Sequence, residues 1–381
     1  MKITAETTRR LIVVVLSLLI VVGAVAWWGQ LDRGLAVTGL TDQVSWGLYI
    51  GNFVYLVGVA AAAVVLVVPA YVFRVKEIEE VVVLGEYMAI AAVMMAMLFI
   101  LADLGQPARI WHTLPLIGRL NFPASVLAWD IVVLTGYLLL NISAVGYRWR
   151  CERAGRAPAP GPYFALMMTA IVLGLSIHTI TAFMLAGNPA RPFWHSAALA
   201  PRFIASAFAS GAALMILALQ AKGGVIGGRE GGSARRLLGL ILLFSLVIDL
   251  FLMGSEAFVQ LYRPTASSPA ARLAMGGIHG LSVAALVVAA GITLVHRLRD
   301  NPRWLIFASA LVIPAVWYEK GLGLIVPGFR PTPIGEIASY APTGTEIAVT
   351  LGIWAAGLLL FAVLANGTIL SPTKKVSGSR S

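Results

Sequence analysis

The chain has 381 residues, 59% hydrophobic and only 12% charged, with a net charge of +11 and a mean hydropathy of +0.87. A soluble domain carries roughly 25% charged residues, so this composition excludes an ordinary water-soluble fold and fits a bilayer. The positive charge does not point to nucleic acid, because Lys and Arg fall almost entirely in short connections between apolar runs, which is the pattern of membrane topology signals.

In chain order, stretches long and apolar enough to span a bilayer, roughly 20 residues each, lie at 11–30, 46–73, 80–104, 124–147, 163–187, 201–221, 236–262, 272–296, 304–326 and 347–370. The sequence therefore predicts an all-α integral membrane protein of about ten transmembrane helices, a single membrane domain over 1–381. Arg9 and Arg10 before the first stretch, and Ala24-Val25-Ala26 within it, have the look of a cleavable signal. Trp27 and Trp28 follow at once and suit a membrane-interface belt, so a retained helix is expected. With the N-terminus inside, 19 of the 28 Lys and Arg fall on the cytoplasmic side. This predicts a multi-pass protein of the cytoplasmic membrane with both termini cytoplasmic.

Helices 2–5 (46–187) and 6–9 (201–326) read as two four-helix bundles, with one flanking helix at each end. An offset of 153 pairs Tyr55 with Phe208, Gly58 with Gly211 and Asp103 with Glu256.

The chain has one cysteine, Cys151, in a polar connection, and five scattered histidines. An iron–sulfur cluster needs about four cysteines. No metal, haem or iron–sulfur cluster is therefore expected on this chain, and any cluster that serves it sits on a partner.

Ionisable groups in a bilayer are costly and usually mark a pathway or a site. Tyr49, Asn52, Asp103, Asp130 and His178 lie toward the outer side of the first bundle; Ser206, Glu256, His279 and Glu319 form a parallel outer set in the second. Glu86, Tyr87 and Asp249 lie deeper. Each also has a structural reading: Asp103 holding the Leu104–Pro107 turn, His178 or His279 as interhelical donors, Glu319 paired with Lys320, Glu86 facing Asp249. A quinol releases two electrons and two protons, so its pocket needs a base near each oxygen and apolar walls for the ring. Asp130 and His178 on adjacent helices, with Asn52 and Tyr49 as hydrogen-bond partners and Trp46 or Trp129 as walls, meet that need.

The runs Gly34–Tyr71, Asp103–His112 and Ser125–Asn141 resemble the NrfD/PsrC family of quinone-interacting membrane subunits, and His178–Phe208 with Tyr318–Ile337 resemble its ten-helix DsrP branch. The resemblance covers nearly the whole chain. It implies two four-helix bundles, a quinone (menaquinone or ubiquinone) bound near the non-cytoplasmic face, and no cofactor held by this chain. It also implies docking to a periplasmic ferredoxin-like iron–sulfur subunit, within a sulfur-metabolism complex that includes a multihaem cytochrome c, a haem b membrane subunit and a cytoplasmic iron–sulfur subunit. The family's acidic positions fall on Asp103 and Asp130, its Trp-Gly-x-Tyr stretch on Trp46–Tyr49, and its histidine on His178. The residues of any proton path, Glu86, Tyr87, Asp249, Glu256, His279 and Glu319, are placed by depth only. Two other readings stay open: a membrane cytochrome b with a haem between His178 and His279, and a secondary transporter with a midplane site.

Overall fold

The computed structural model describes residues 5–60, 62–67, 70, 76–114, 117–221, 231–262, 272, 276–330, 332 and 335–367. Parts of the expected spans, at 61, 68–69, 71–73, 273–275 and 368–370, lie outside the described residues. Among the described residues there are no strands, and ten helices are long and apolar enough to cross a membrane. They are α1 (Ala5–Arg33), α2 (Leu48–Ala60, continued by Ala62–Val67), α3 (Lys76–Asp103), α4 (Val126–Arg153) and α5 (Pro160–Ala186). The rest are α6 (Leu199–Ala221), α7 (Gly231–Tyr262), α8 (Gly277–Leu294), α9 (Pro302–Lys320) and α10 (Gly344–Gly367).

The helices begin where capping chemistry allows it. Ser125 Oγ accepts from Ala128 N–H at the start of α4, and Asn301 accepts from Arg303 N–H at the start of α9, which has Pro302 in its first turn. Several helices overrun their apolar stretch. α4 continues to Arg153, supported by the Arg148–Glu152 pair at 2.9 Å, and the chain turns only at Gly155 with φ +66°. Cys151, expected in a polar connection, is therefore in the last turn of α4 and 1% exposed.

α2 packs on α3, α3 on α4, α4 on α5 and α5 back on α2; α6, α7, α8 and α9 close a second ring in the same way. The rings meet where α6 lies against α2 and α5 and where α9 crosses α2. α10 lies on α3 and α2, and α1 packs on α10. In that last contact the backbones of Gly23 and Gly352 touch, and a Cβ on Gly23 would stand 2.6 Å from Gly352 Cα. Lipid is as apolar as leucine, so close backbone approach through small residues is what holds such a pair.

One end of the bundle, called upper here, carries the connections before α2, before α4, before α6 and before α10; the other is the lower end. Glu346 knits the upper end together. It accepts from Gly39 N–H (2.7 Å), Tyr340 O–H (2.6 Å) and Thr343 N–H (2.9 Å), the last as half of a capping box at the start of α10. Tyr340 in turn accepts from Leu48 N–H at 2.7 Å. Burial and its bond to Glu346 push the Tyr340 hydroxyl above the ordinary phenol range.

Candidate functional site

The residues singled out from sequence do not share one pocket. They fall into separate groups because the helices turn them to different faces. Tyr49 and Gly58 are nine residues apart on α2, about 180° around a helix at 3.6 residues per turn. Tyr49 therefore faces α1 and α3, while Gly58 faces α5, α6 and α9.

On the first face, the Tyr49 hydroxyl donates to Gln30 Oε1 (2.8 Å), Gln30 donates to the Ala102 carbonyl (2.7 Å), and the Tyr49 ring packs on Phe99. Asp103 ends α3 beside them. Its Oδ1 is buried with no hydrogen-bond partner among the described residues, so that oxygen does not serve as an acceptor for the following turn. An apolar cavity of about 230 Å³ lies between α1, α3 and α10, lined by Trp27, Leu98, Leu101, Ala102, Gly352 and Ile353 among others. The cavity reaches the polar group through Ala102, whose carbonyl Gln30 bonds and whose chain neighbour is Asp103. Gln30 carried no signal in the sequence, since it lies at the very end of the apolar stretch of the first helix.

Asn52 is fully buried and occupied. Its Oδ1 accepts from both the Trp317 and Trp354 indoles (3.0 and 2.8 Å), and its Nδ2 donates to Leu48 O. It fastens α2 to α9 and α10. Trp46 stacks on Trp194 at 5.6 Å, Phe329 meets both rings edge-on, and Arg191 lies over Phe329. This aromatic knot joins three upper connections. Trp129 is 40% exposed on the upper rim, packed on Phe122 with its indole bonded to Pro123 O.

On the other side of α2, Asp130 accepts from Thr181 Oγ1 at 2.9 Å, and its Oδ2 is buried without a partner among the described residues. His178, one turn before Thr181, bonds Gly174 O through Nδ1 (2.8 Å) and leaves Nε2 likewise unpartnered. Both residues are 1% exposed. The hydroxyl that donates to Asp130 is therefore that of Thr181, on the histidine's own helix, and not the Tyr49 or Asn52 that the sequence suggested as partners.

The third group is an ion cluster inside the second ring, centred on Arg202. Its guanidinium is 3.0 Å from Glu256, 3.4 Å from Glu319 and 3.8 Å from Asp249, and His279 Nδ1 is 2.9 Å from Glu319 Oε1. Ser206 bonds only back to its own helix. Glu319 does not pair with Lys320, because consecutive helical residues point about 100° apart. Lys320 turns instead toward the seam between the rings, where its Nζ donates to Phe203 O of α6 (2.8 Å) and stands 3.0 Å from where a Cβ on Gly58 of α2 would be. Sequence reasoning counted Arg202 among the outer topology charges; Asp249 and Glu256, two turns apart on α7, and Glu319 on α9 were the signal that a cation was needed there. Glu256 also lines an upper cleft of about 610 Å³ with His195 and Ser255.

Glu86 and Asp249 do not face each other. Glu86 accepts from Tyr163 O–H at 3.3 Å and leaves Oε2 buried and unpartnered among the described residues; Tyr87 borders a separate apolar groove. Among the described residues no group of three or more His, Cys, Asp and Glu side chains converges as a metal site. His178 and His279 lie in different groups.

Residues 36–329 match the family model described as polysulphide reductase, NrfD. A selenate reductase subunit of Mesobacillus selenatarsenatis is 30% identical over 288 residues, 67% of this chain and 66% of that protein. The putative dimethyl sulfoxide reductase membrane subunit of Halobacterium salinarum is 28% identical, with 91% of this chain and 88% of its own covered. The Hdr-like menaquinol oxidoreductase integral membrane subunit of Archaeoglobus fulgidus is 25% identical, with 96% and 94% covered. Ten apolar helices and a family match across most of their length place this chain in the NrfD polysulphide reductase family, among proteins similar to the membrane subunits of multi-subunit reductases.

Proposed function

We propose that this chain exchanges electrons between the membrane quinone pool and an iron–sulfur partner docked on its upper face. One observation supports the placement of the quinone: Ala102, which lines an apolar cavity with Leu98 and Leu101, precedes Asp103 with its unpartnered oxygen and is bonded by the Gln30 that holds the Tyr49 hydroxyl. The ring would sit against Asp103 and Tyr49, with its tail between α1, α3 and α10. Asp103 takes a proton as quinol is oxidised, and the Gln30–Tyr49 pair holds the phenol in line. Asp130 and His178, buried on the other side of α2, then serve as inner proton acceptors rather than as ring contacts. The family match and the Archaeoglobus relative, named as a menaquinol oxidoreductase subunit, support quinone as the ligand. A photoreactive quinone analogue should label peptides spanning Leu98–Asp103 and Gln30. Labelling confined to the Glu256–His279–Glu319 cluster would move the site to the second ring.

The closed contacts of α2–α5 and of α6–α9 support reading 46–187 and 201–326 as two four-helix bundles. The Arg202 cluster, with Asp249, Glu256, His279 and Glu319, is the best placed group for proton movement. The aromatic knot at Arg191–Trp194 and the Arg330–Glu346 connection form the docking surface for a ferredoxin-like subunit. The DsrP-type resemblance makes sulfur-compound respiration the setting, with the multihaem cytochrome c, haem b and cytoplasmic iron–sulfur subunits as further partners.

The charge split makes the upper face periplasmic, with both termini and the connection at Ala154 cytoplasmic in the inner membrane. An impermeant thiol reagent should fail to label Ala154→Cys in intact cells and label it after lysis. Ready labelling from outside would invert the topology.

A further inference from the structure

A second apolar groove, of about 440 Å³, lies at the lower half of the bundle between α3, α4 and α10, far from the proposed quinone slot. Ile142, Val145, Gly146 and Trp149 of α4 form one wall and Leu360 and Val363 of α10 the other. From Ile142 to Trp149 α4 rises about 10 Å at 1.5 Å per residue, a length that suits part of an acyl chain. Gly146 makes the notch: a Cβ there would meet nothing within 4 Å. The groove body is hydrocarbon-like, but its mouth is charged. Arg153 lies flat on the Trp149 ring with its guanidinium carbon 3.6 Å from the centroid. Arg148 is neutralised by Glu152. Arg150 and Arg153 are exposed and have no acidic partner among the described residues.

We propose that this groove is a binding site for one anionic phospholipid, an acyl chain lying in the notch at Gly146 and the phosphate held by Arg153 and Arg150. Charge complementarity selects the occupant. A neutral quinone tail would fill the same hydrocarbon slot but leave two guanidinium groups unmatched at its mouth, and a zwitterionic lipid would bring its own cation beside its phosphate. Trp149 belongs at that boundary, because its ring accepts hydrocarbon on one side and a cation on its face on the other. A basic pocket between transmembrane helices is how a lipid headgroup is held in place of bulk lipid. The site is independent of the quinone reading, since it shares no residue with Asp103, Tyr49 or the cavity between α1, α3 and α10.

The test uses the full chain purified in mild detergent and mixed with defined phosphatidylglycerol or phosphatidylcholine, with retained lipid counted by native mass spectrometry. Wild type should retain one phosphatidylglycerol at concentrations where phosphatidylcholine is lost. The double variant Arg150→Gln, Arg153→Gln should bind phosphatidylglycerol about thirtyfold more weakly, at about 1 kcal/mol per basic residue near the membrane surface. Removing two exposed arginines elsewhere, Arg297→Gln with Arg303→Gln, should leave retention unchanged. Gly146→Leu fills the notch without touching charge and should abolish retention. The proposal is overturned if phosphatidylcholine is held as well as phosphatidylglycerol, if the control pair weakens binding equally, or if Gly146→Leu retains the lipid.

Discussion

Asp103→Asn should lower quinol-dependent turnover of the assembled complex by about 10²–10⁴, the usual cost of losing one general base. The substitution keeps the size of the side chain and its place at the end of α3, and replaces a proton acceptor with an amide. Because Asp103 Oδ1 has no hydrogen-bond partner among the described residues, no structural bond at that atom is lost, and assembly and thermal stability should be unchanged. Tyr49→Phe makes the companion test. It removes the hydroxyl that Gln30 holds at 2.8 Å and should weaken quinone binding more than it lowers the maximal rate. Asp130→Asn distinguishes the two faces of α2. If the ring sits at Asp103, Asp130→Asn slows proton release without displacing a quinone-site inhibitor. Normal quinol turnover by Asp103→Asn, with loss of inhibitor binding in Asp130→Asn, would return the ring to the Asp130–His178 side.

The largest structural effect is expected at Arg202. Asp249, Glu256 and Glu319 converge on it inside the second ring, and all three side chains are largely buried. Removing one member of a buried ion cluster typically costs about 3–5 kcal/mol, because the remaining charges stay desolvated and unpaired. Arg202→Gln should therefore melt at a markedly lower temperature in detergent and accumulate poorly in the membrane. Adding Glu256→Gln and Glu319→Gln to that variant removes most of the unmatched negative charge and should recover much of the lost stability. A single Arg202→Gln protein that melts like wild type would show that the cluster holds its charges some other way, and the rescue experiment would then have nothing to restore.

Much of the architecture was legible because a bilayer imposes a simple rule on the chain. Each span must be apolar for its full length, and backbone groups in lipid must be satisfied within the helix. The ten spans therefore stand out in the sequence, and among the described residues the differences lie at the helix ends, as at Cys151. There a charged but helix-compatible stretch, tied by Arg148–Glu152, carries α4 beyond its apolar run. The membrane-depth argument also picked the acids and histidines that are now found buried: Glu86, Asp130, His178, Asp249 and Glu319 are each 4% exposed or less.

Depth, however, says nothing about direction around a helix or about which helix stands opposite. The sequence by itself determined the fold class, the number of spans and the list of costly polar groups, because these follow from composition along one dimension. Only the tertiary structure decided who meets whom. It turned Tyr49 to Gln30, locked Asn52 under Trp317 and Trp354, and gave Asp130 a threonine as its hydrogen-bond partner. It also drew Glu319 away from its neighbour Lys320 to Arg202, 117 residues earlier in the chain. The physical reason is that a buried charge must be met by its counter-charge in space, and helix packing brings together residues that share no local pattern.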